Sequence, residues 1–481
     1  MSSPSAAQKL LGLIRIIVPK VPLIVSTTLV HYALGPPKKS WPYKLSITIA
    51  LLRSFLAQIN HVPIKDSQAM SRRVTDEDAP VNAGAVSFMS SVPGQYRDKA
   101  AAHLHMLFER QGIDDTKLGW DWRNDPRLTS EPLEGEWTWV RGVDEKELSK
   151  KKTVLYLHGG GYFLASIRTH RWATWGMANL ADAKALVGYF AAIDYRLAPD
   201  SPFPAALQDA LAAYLYLLHP PAESGQAAVD PKNLVIMGDS AGGGLTFATM
   251  LAIRDAGLPI PAGVIGWSPW LDLLHSMPSV LTNAPSDYLP AEGFTQGGQG
   301  SLTKVAKLAA SMKPGENVLH HPDLPEIQHY ATNAVLGCPY VSPVVVNSLE
   351  GTCSMLVIAG DGELLRDEAI VFAIRGAAAK KKEGDHTEVQ LLVYDDMPHV
   401  FPMFDFLVSA RHALQESADF IRRVTPSQES KASPMTRATS ERFLRVSTEG
   451  ETRPLEKEAV QGWQERLGKL GGGPQVLAQL K

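Results

Sequence analysis

Residues Gly238-Asp239-Ser240-Ala241-Gly242 form a G-x-S-x-G pattern. It follows the apolar run Leu234–Met237 and opens a Gly/Ala-rich stretch with helical spacing. A serine that attacks a carbonyl carbon must stand on a tight strand-to-helix turn, where bulky neighbours cannot fit. The helix N-terminus behind it favours developing negative charge. The bland alternative is a close-packed glycine turn. A second candidate is His158-Gly159-Gly160-Gly161, directly after the apolar run Val154–Leu157. Three glycines leave backbone N–H groups free to face the oxyanion of a tetrahedral intermediate, and Ala241, after the serine, supplies another. A phosphate loop is the competing idea, but neither G-x-x-x-x-G-K-[ST] nor G-x-G-x-x-G is present. His158 reads as a structural residue that fixes the loop.

The serine needs a base, and the base needs an orienting carboxylate. On a scaffold of this kind the chain order is Ser, Asp/Glu, His. The last apolar run, Val389–Tyr394, leads into Asp395-Asp396-Met397-Pro398-His399-Val400-Phe401, which places His399 as the base. The preceding run, Met355–Ala359, leads into Gly360-Asp361-Gly362-Glu363, so Asp361 and Glu363 are both candidates for the acid. Asp367 and Glu368 fall in the next helix and read as solvated or capping charges.

These residues demand a particular scaffold. Short apolar runs (Val154–Leu157, Ala185–Ile193, Leu234–Met237, Gly263–Trp267, Met355–Ala359, Val389–Tyr394) alternate with helical stretches (Pro204–Leu218, Gly242–Arg254, Leu364–Lys381, Phe404–Arg422). That alternation predicts an α/β fold with a mostly parallel central sheet covered by helices on both faces. Residues 66–150 are polar and irregular, with one alternating segment, Glu136–Arg141, expected as an outer antiparallel strand. Residues 276–332 interrupt the rhythm with a long Pro/Gly/Ser-rich insertion and one candidate helix near 302–312. The organisation expected is therefore a basic apolar segment (1–65), a cap region with leading strands (66–150), a catalytic domain (151–425) and a mobile charged tail (426–481). The tail carries one candidate helix at 456–470.

The chain has 481 residues and a net charge of −3, but the charge is divided. Eight Lys or Arg residues precede the first acidic residue, Asp66, and the rest carries 39 basic against 50 acidic side chains. A basic arm thus precedes an acidic body, which argues against nucleic-acid binding. Leu10–Leu34 is apolar but broken by Arg15, Pro19, Lys20 and Pro22. The uncharged part, Val21–Leu34, would span roughly 21 Å as a helix, against a hydrocarbon core of roughly 30 Å. Ser40 can cap a second helix with Pro42 in its first turn, and Leu45, Ile49, Leu52, Leu56 and Ile59 mark one face. The two segments read as an interfacial membrane anchor through residues 1–60, or as a lid packed on the body. A mitochondrial transit peptide is a further alternative, while a cleaved secretory signal fits poorly. Two cysteines, Cys338 and Cys353, make no disulfide framework, and no Cys/His cluster has zinc-ligand spacing.

The motifs together resemble the hormone-sensitive-lipase-like branch of the α/β-hydrolase superfamily. They are HGGG at His158–Gly161, DYRLAPD at Asp194–Asp200, GDSAGG at Gly238–Gly243 and M-P-H-V-F at Met397–Phe401. Ser268-Pro269-Trp270 and Tyr340-Val341-Ser342-Pro343 also fit, over roughly residues 150–425. Asp200 stands where the branch usually has Glu. Aligning on Leu365-Arg366-Asp367 puts Glu363, ahead of Asp361, at the acid position. The resemblance implies a triad of Ser240, Glu363 and His399. It also implies oxyanion donors at Gly160, Gly161 and Ala241, with Asp194 and Arg196 bracing the HGGG loop. It further implies a serine hydrolase of a small lipophilic ester that needs no metal or organic cofactor, with a cap built from the arm and the 276–332 insertion. An acyltransferase or related serine enzyme of specialised metabolism is the alternative. A non-catalytic receptor is disfavoured by the presence of His399. Anchored members of the branch suggest the endoplasmic-reticulum membrane, with a cytoplasmic location as the alternative. The absence of any N-x-[ST] sequon disfavours a lumenal body.

Overall fold

The computed structural model describes residues 18–59, 61–72, 85–125, 132–140, 152–178, 189–290, 293, 324–379, 387–425 and 441–456. Its centre is a ten-stranded sheet. The strands are β1 (Ala85–Val92), β2 (Leu133–Val140), β3 (Thr153–Leu157), β4 (Tyr189–Ile193), β5 (Leu234–Asp239), β6 (Gly263–Trp267), β7 (Ser354–Gly360), β8 (Val389–Tyr394), β9 (Glu441–Val446) and β10 (Thr452–Pro454). The spatial order is β1-β2-β4-β3-β5-β6-β7-β8-β9-β10. From β4 to β9 every pairing is parallel, while β1/β2, β2/β4 and β9/β10 are antiparallel.

The parallel strands are continuous apolar runs because both faces are covered. Side chains alternate between them: Leu155, Leu157 and Ile236 enter one core, and Val154, Tyr156, Val235 and Met237 the other. The first face is packed by α4 (Gln95–Gln111), α6 (Ala205–Leu218), α7 (Ser240–Asp255) and α9 (Arg366–Ala378). The second is packed by α2 (Tyr43–Ile59), α5 (Arg171–Ala178) and α10 (Val408–Val424). All fourteen residues of α6 are buried, consistent with a helix apolar around its whole circumference. α1 (Val21–Ala33), α3 (Ile64–Ser71) and the short α8 (Ser279–Thr282) complete the α-helices among the described residues.

Several expectations change. β2 is antiparallel, but it is not the outermost strand, because the Ser-rich β1 pairs along its whole length. Residues 441–454, expected within a mobile tail, form β9 and β10. Arg442 meets Glu416 at 2.5 Å and Arg445 meets Asp395 at 2.6 Å, so charges that read as solvated instead hold β9 against the body. Asp367 and Glu368 are fully buried. Asp367 accepts the Ser279 N–H, and Glu368 accepts the N–H groups of Leu271 and Asp272. The candidate helices at 302–312 and 456–470 lie outside the described residues, apart from Glu456.

The arm divides in two. α1 (Val21–Ala33) buries no residue. It touches α2 through Thr28–Tyr43 and His31–Ser46 hydrogen bonds. α2 is anchored on the body: Leu45 and Ile49 are buried, and Trp41 Nε1 donates to the Asp396 carbonyl at 2.6 Å. Ser40 does not cap α2; its hydroxyl donates to Asp396 Oδ2. No helix among the described residues is long and apolar enough to cross a membrane.

Candidate active site

Strand β5 ends and α7 begins without a linker, so Ser240 sits on the turn between them with φ of +52°. A non-glycine residue held there is strained, and such strain persists only where the surroundings enforce it. The surroundings are close indeed. A Cβ on Gly242 would lie 2.0 Å from the Leu157 carbonyl oxygen, so only glycine lets β3 approach the elbow. Gly160 has φ of +109°, which turns the HGGG loop back beside it. Gly161 and Ser240 line one cavity, and Ala241 is buried in the first turn of α7.

Asp239 joins the two motifs. Its Oδ1 accepts both the Tyr156 hydroxyl at 2.5 Å and the Gly159 N–H at 3.0 Å. His158 is fully buried, and burial drives it down to about 3, so it is neutral and structural. Tyr195 stacks on its ring at 4.3 Å and donates to the His158 carbonyl at 2.6 Å. Asp194 stands 3.6 Å from His158 Nε2 and accepts the Ile167 N–H. Arg196 departs from the expected bracing role. It pairs with Asp209 and Asp125, holding α6 rather than the glycine loop.

His399 Nε2 lies 2.9 Å from Ser240 Oγ. Burial drives His399 down to about 3, with Asp239 pulling the other way, so the ring is neutral and can accept a proton. The two acid candidates separate clearly. Asp361 belongs to an outer ionic cluster with Lys38 (3.7 Å), Arg366 (3.4 Å) and Arg445 (3.2 Å). Glu363 is fully buried. Its Oε2 accepts the Ser268 hydroxyl at 2.5 Å and the Gly360 N–H at 3.1 Å. Burial pushes Glu363 well up, while the Ser268 hydrogen bond lowers it and the Asp287 charge raises it. Glu363 Oε1 and His399 Nδ1 are both buried and lack a hydrogen-bond partner among the described residues. One can accept and the other can donate a hydrogen bond, and a buried polar atom left without a partner costs about 1–3 kcal/mol.

Two residues that motif reading did not single out hold this side together. The Ser268 hydroxyl also accepts the Val400 N–H at 2.9 Å, linking the acid to the residue after His399. Asp287 accepts the N–H groups of His399 (3.3 Å) and Leu364 (2.6 Å), bridging the same two loops from the insertion. Burial pushes Asp287 up to about 6 against four backbone N–H donors. Arg53 of α2 in turn donates to the carbonyls of Asp287 and Pro285. The arm therefore reaches the rim of the site.

A family model described as alpha/beta hydrolase fold matches residues 154–403. An acetyl-hydrolase of Streptomyces hygroscopicus is 32% identical over 288 residues, covering 60% of this chain and 79% of that protein. Hormone-sensitive lipase of Bos taurus is 31% identical over 153 residues, 29% of this chain and 19% of the lipase. The crystal structure of the esterase EstE5 soaked with p-nitrophenyl butyrate superposes with a TM-score of 0.53 at 27% identity, covering 78% of this chain and 98% of that one. The match of more than half the chain, together with the sheet order and the elbow geometry, leads to one conclusion: the chain belongs to the α/β-hydrolase fold family, in its hormone-sensitive-lipase-like branch.

Proposed function

We propose that this carboxylic-ester hydrolase acts on a small lipophilic ester through an acyl-enzyme at Ser240. The observation that carries the reading is the 2.9 Å contact between Ser240 Oγ and the buried, neutral His399. In acylation the Ser240 proton passes to His399 Nε2 as Oγ attacks the ester carbonyl. The resulting oxyanion is met by the N–H groups of Gly160, Gly161 and Ala241. Glu363 orients His399 and stabilises its charged form. The alcohol leaves with the proton from His399, and a water, deprotonated by the same ring, releases the acid. The cavity at Ser240 is walled by Trp270, Leu289, Leu364 and Leu365, which supports a lipophilic substrate. The test is hydrolysis of nitrophenyl esters of graded chain length, with Ser240→Ala as the control. Turnover is expected to fall by about 10⁴-fold or more in the variant. Absence of turnover of every ester by the intact protein defeats the proposal.

The same reading places the protein at a membrane surface. α1 exposes Val25, Leu29 and Tyr32, and Leu34 follows just beyond it; no residue of the helix is buried to balance them, and basic residues flank it. Its 13 residues suit an interfacial position rather than a span. Vesicle sedimentation with Leu29→Glu is the check. Binding by the full chain to anionic vesicles should weaken at least several-fold in the variant.

A further inference from the structure

Residues 268–276 follow β6 and form one wall of the site. The loop is fixed with unusual completeness. The Trp270 N–H donates to the Ser240 carbonyl, and Glu368 accepts the N–H groups of Leu271 and Asp272. The buried Asp272 carboxylate accepts the N–H groups of Leu274 and Ser276 and the Ser276 hydroxyl. Between these clamped positions stands His275, with φ of +51°. A bulky non-glycine residue is rarely held in that conformation, and the strain costs roughly 1–3 kcal/mol.

The strain presents the imidazole to the cavity that holds Ser240. Its described lining is otherwise apolar or aromatic, with Trp270, Leu289, Pro290, Leu364 and Leu365, so among the described residues His275 is the ionisable side chain that joins the nucleophile there. Both His275 ring nitrogens are buried and have no hydrogen-bond partner among the described residues. Trp270 lies beside the ring at 5.5 Å, and its own indole N–H is committed to the Asp272 carbonyl. Two buried imidazole nitrogens without a described partner carry a desolvation cost that a hydrogen-bonding ligand would relieve.

We infer that His275 is a specificity-determining residue: it hydrogen-bonds a hydroxyl or carbonyl oxygen on the small moiety that enters the cavity, selecting esters with a second oxygen function near the scissile bond. Burial keeps the ring neutral, down to about 4, so it offers one donor and one acceptor and recognises uncharged oxygen groups rather than anions. The ring takes no part in proton transfer, which belongs to His399. The inference rests on the ester-hydrolase reading and narrows its substrate class.

The test compares butyl glycolate with butyl propionate, which differ by a hydroxyl in place of a methyl on the acyl group. Wild-type protein should prefer glycolate in kcat/KM by about tenfold or more. His275→Phe and His275→Leu should each lower the glycolate-to-propionate ratio in kcat/KM by about tenfold. His275→Gln, which keeps a donor and an acceptor, should restore most of the ratio. A ratio unchanged in variants that still turn over propionate overturns the inference while leaving the hydrolase reading intact. Loss of both substrates in Phe and Leu, with the ratio unchanged in Gln relative to a Gln-sized apolar Met variant, overturns it as well. Failure of the wild type to turn over either ester defeats the hydrolase reading and this inference with it.

Discussion

The two halves of the site are built differently. On the nucleophile side, HGGG and GDSAGG are contiguous segments at the ends of adjacent strands β3 and β5, and backbone contact joins them. On the acid–histidine side, Glu363 and His399 sit on separate loops after β7 and β8. Those loops are stapled by Ser268 from after β6 and Asp287 from the insertion. The first half depends on the absence of side chains, and the second on side chains imported from distant parts of the chain. A steric device tolerates no substitution, whereas a hydrogen-bonded one can weaken by degrees.

The comparison can be broken in order of expected effect. The largest is at the acid: Glu363→Gln should lower kcat by about 10³–10⁴-fold, while Asp361→Asn stays within about threefold. The reverse pattern would move the triad acid to the outer ionic cluster. Next is Gly242→Ala, whose Cβ meets two backbone carbonyls, of Leu157 and His158. We expect stability to fall by about 2–3 kcal/mol in denaturant titration and activity by about 10²-fold, because the elbow must shift. Wild-type-like values would show that the nucleophile side is not sterically fixed.

A smaller effect, about tenfold in kcat, is expected for Asp287→Asn, and its pH dependence is diagnostic. The Asp287 charge raises Glu363, which must be ionised to support a charged His399. Removing that charge lets Glu363 ionise at lower pH, so the acid limb of the kcat/KM profile should move to lower pH. An unmoved limb would make Asp287 a purely structural staple. The smallest effect is thermodynamic. His275 titrates near 4 when folded and near 6.5 in an unfolded chain. Between those values the unfolded state binds more protons, so stability falls as pH falls through that window. His275→Phe removes this contribution. Its Tm should therefore drop less than the wild type's between pH 7 and 4.5, by about 2 °C. Equal drops would place the ring in contact with solvent.

Legibility followed the same division. Ser240, Gly160, Gly161 and Ala241 stand in motifs whose neighbours in sequence are also their neighbours in space. His399 and Glu363 were reachable because they follow the last two apolar runs. Ser268 was noticed only as part of a turn, and Asp287 looked like any polar residue in a Pro/Ser-rich insertion. Neither carries a local signal, since their partners lie more than 70 residues away. β9 escapes a linear reading for a related reason: Arg442 and Arg445 look like tail charges, and their partners, Glu416 on α10 and Asp395 beside β8, become visible only in three dimensions. Asp367 and Glu368 read as solvated or capping charges; both accept backbone N–H groups, but from full burial, which only the fold reveals.

The sequence by itself determined the strand–helix alternation, the glycine-lined elbow, the chain order of Ser240, Glu363 and His399 at strand ends and the uneven charge of the arm. These depend on residue type and local spacing, which a linear reading retains. The tertiary structure decided that Glu363 is fully buried while Asp361 joins an outer ionic cluster, that α2 packs on the body while α1 buries no residue, and that His275 lines the Ser240 cavity. Each of those is a question of burial. Burial depends on which distant segment fills the adjoining space, and no local pattern of residues carries that information.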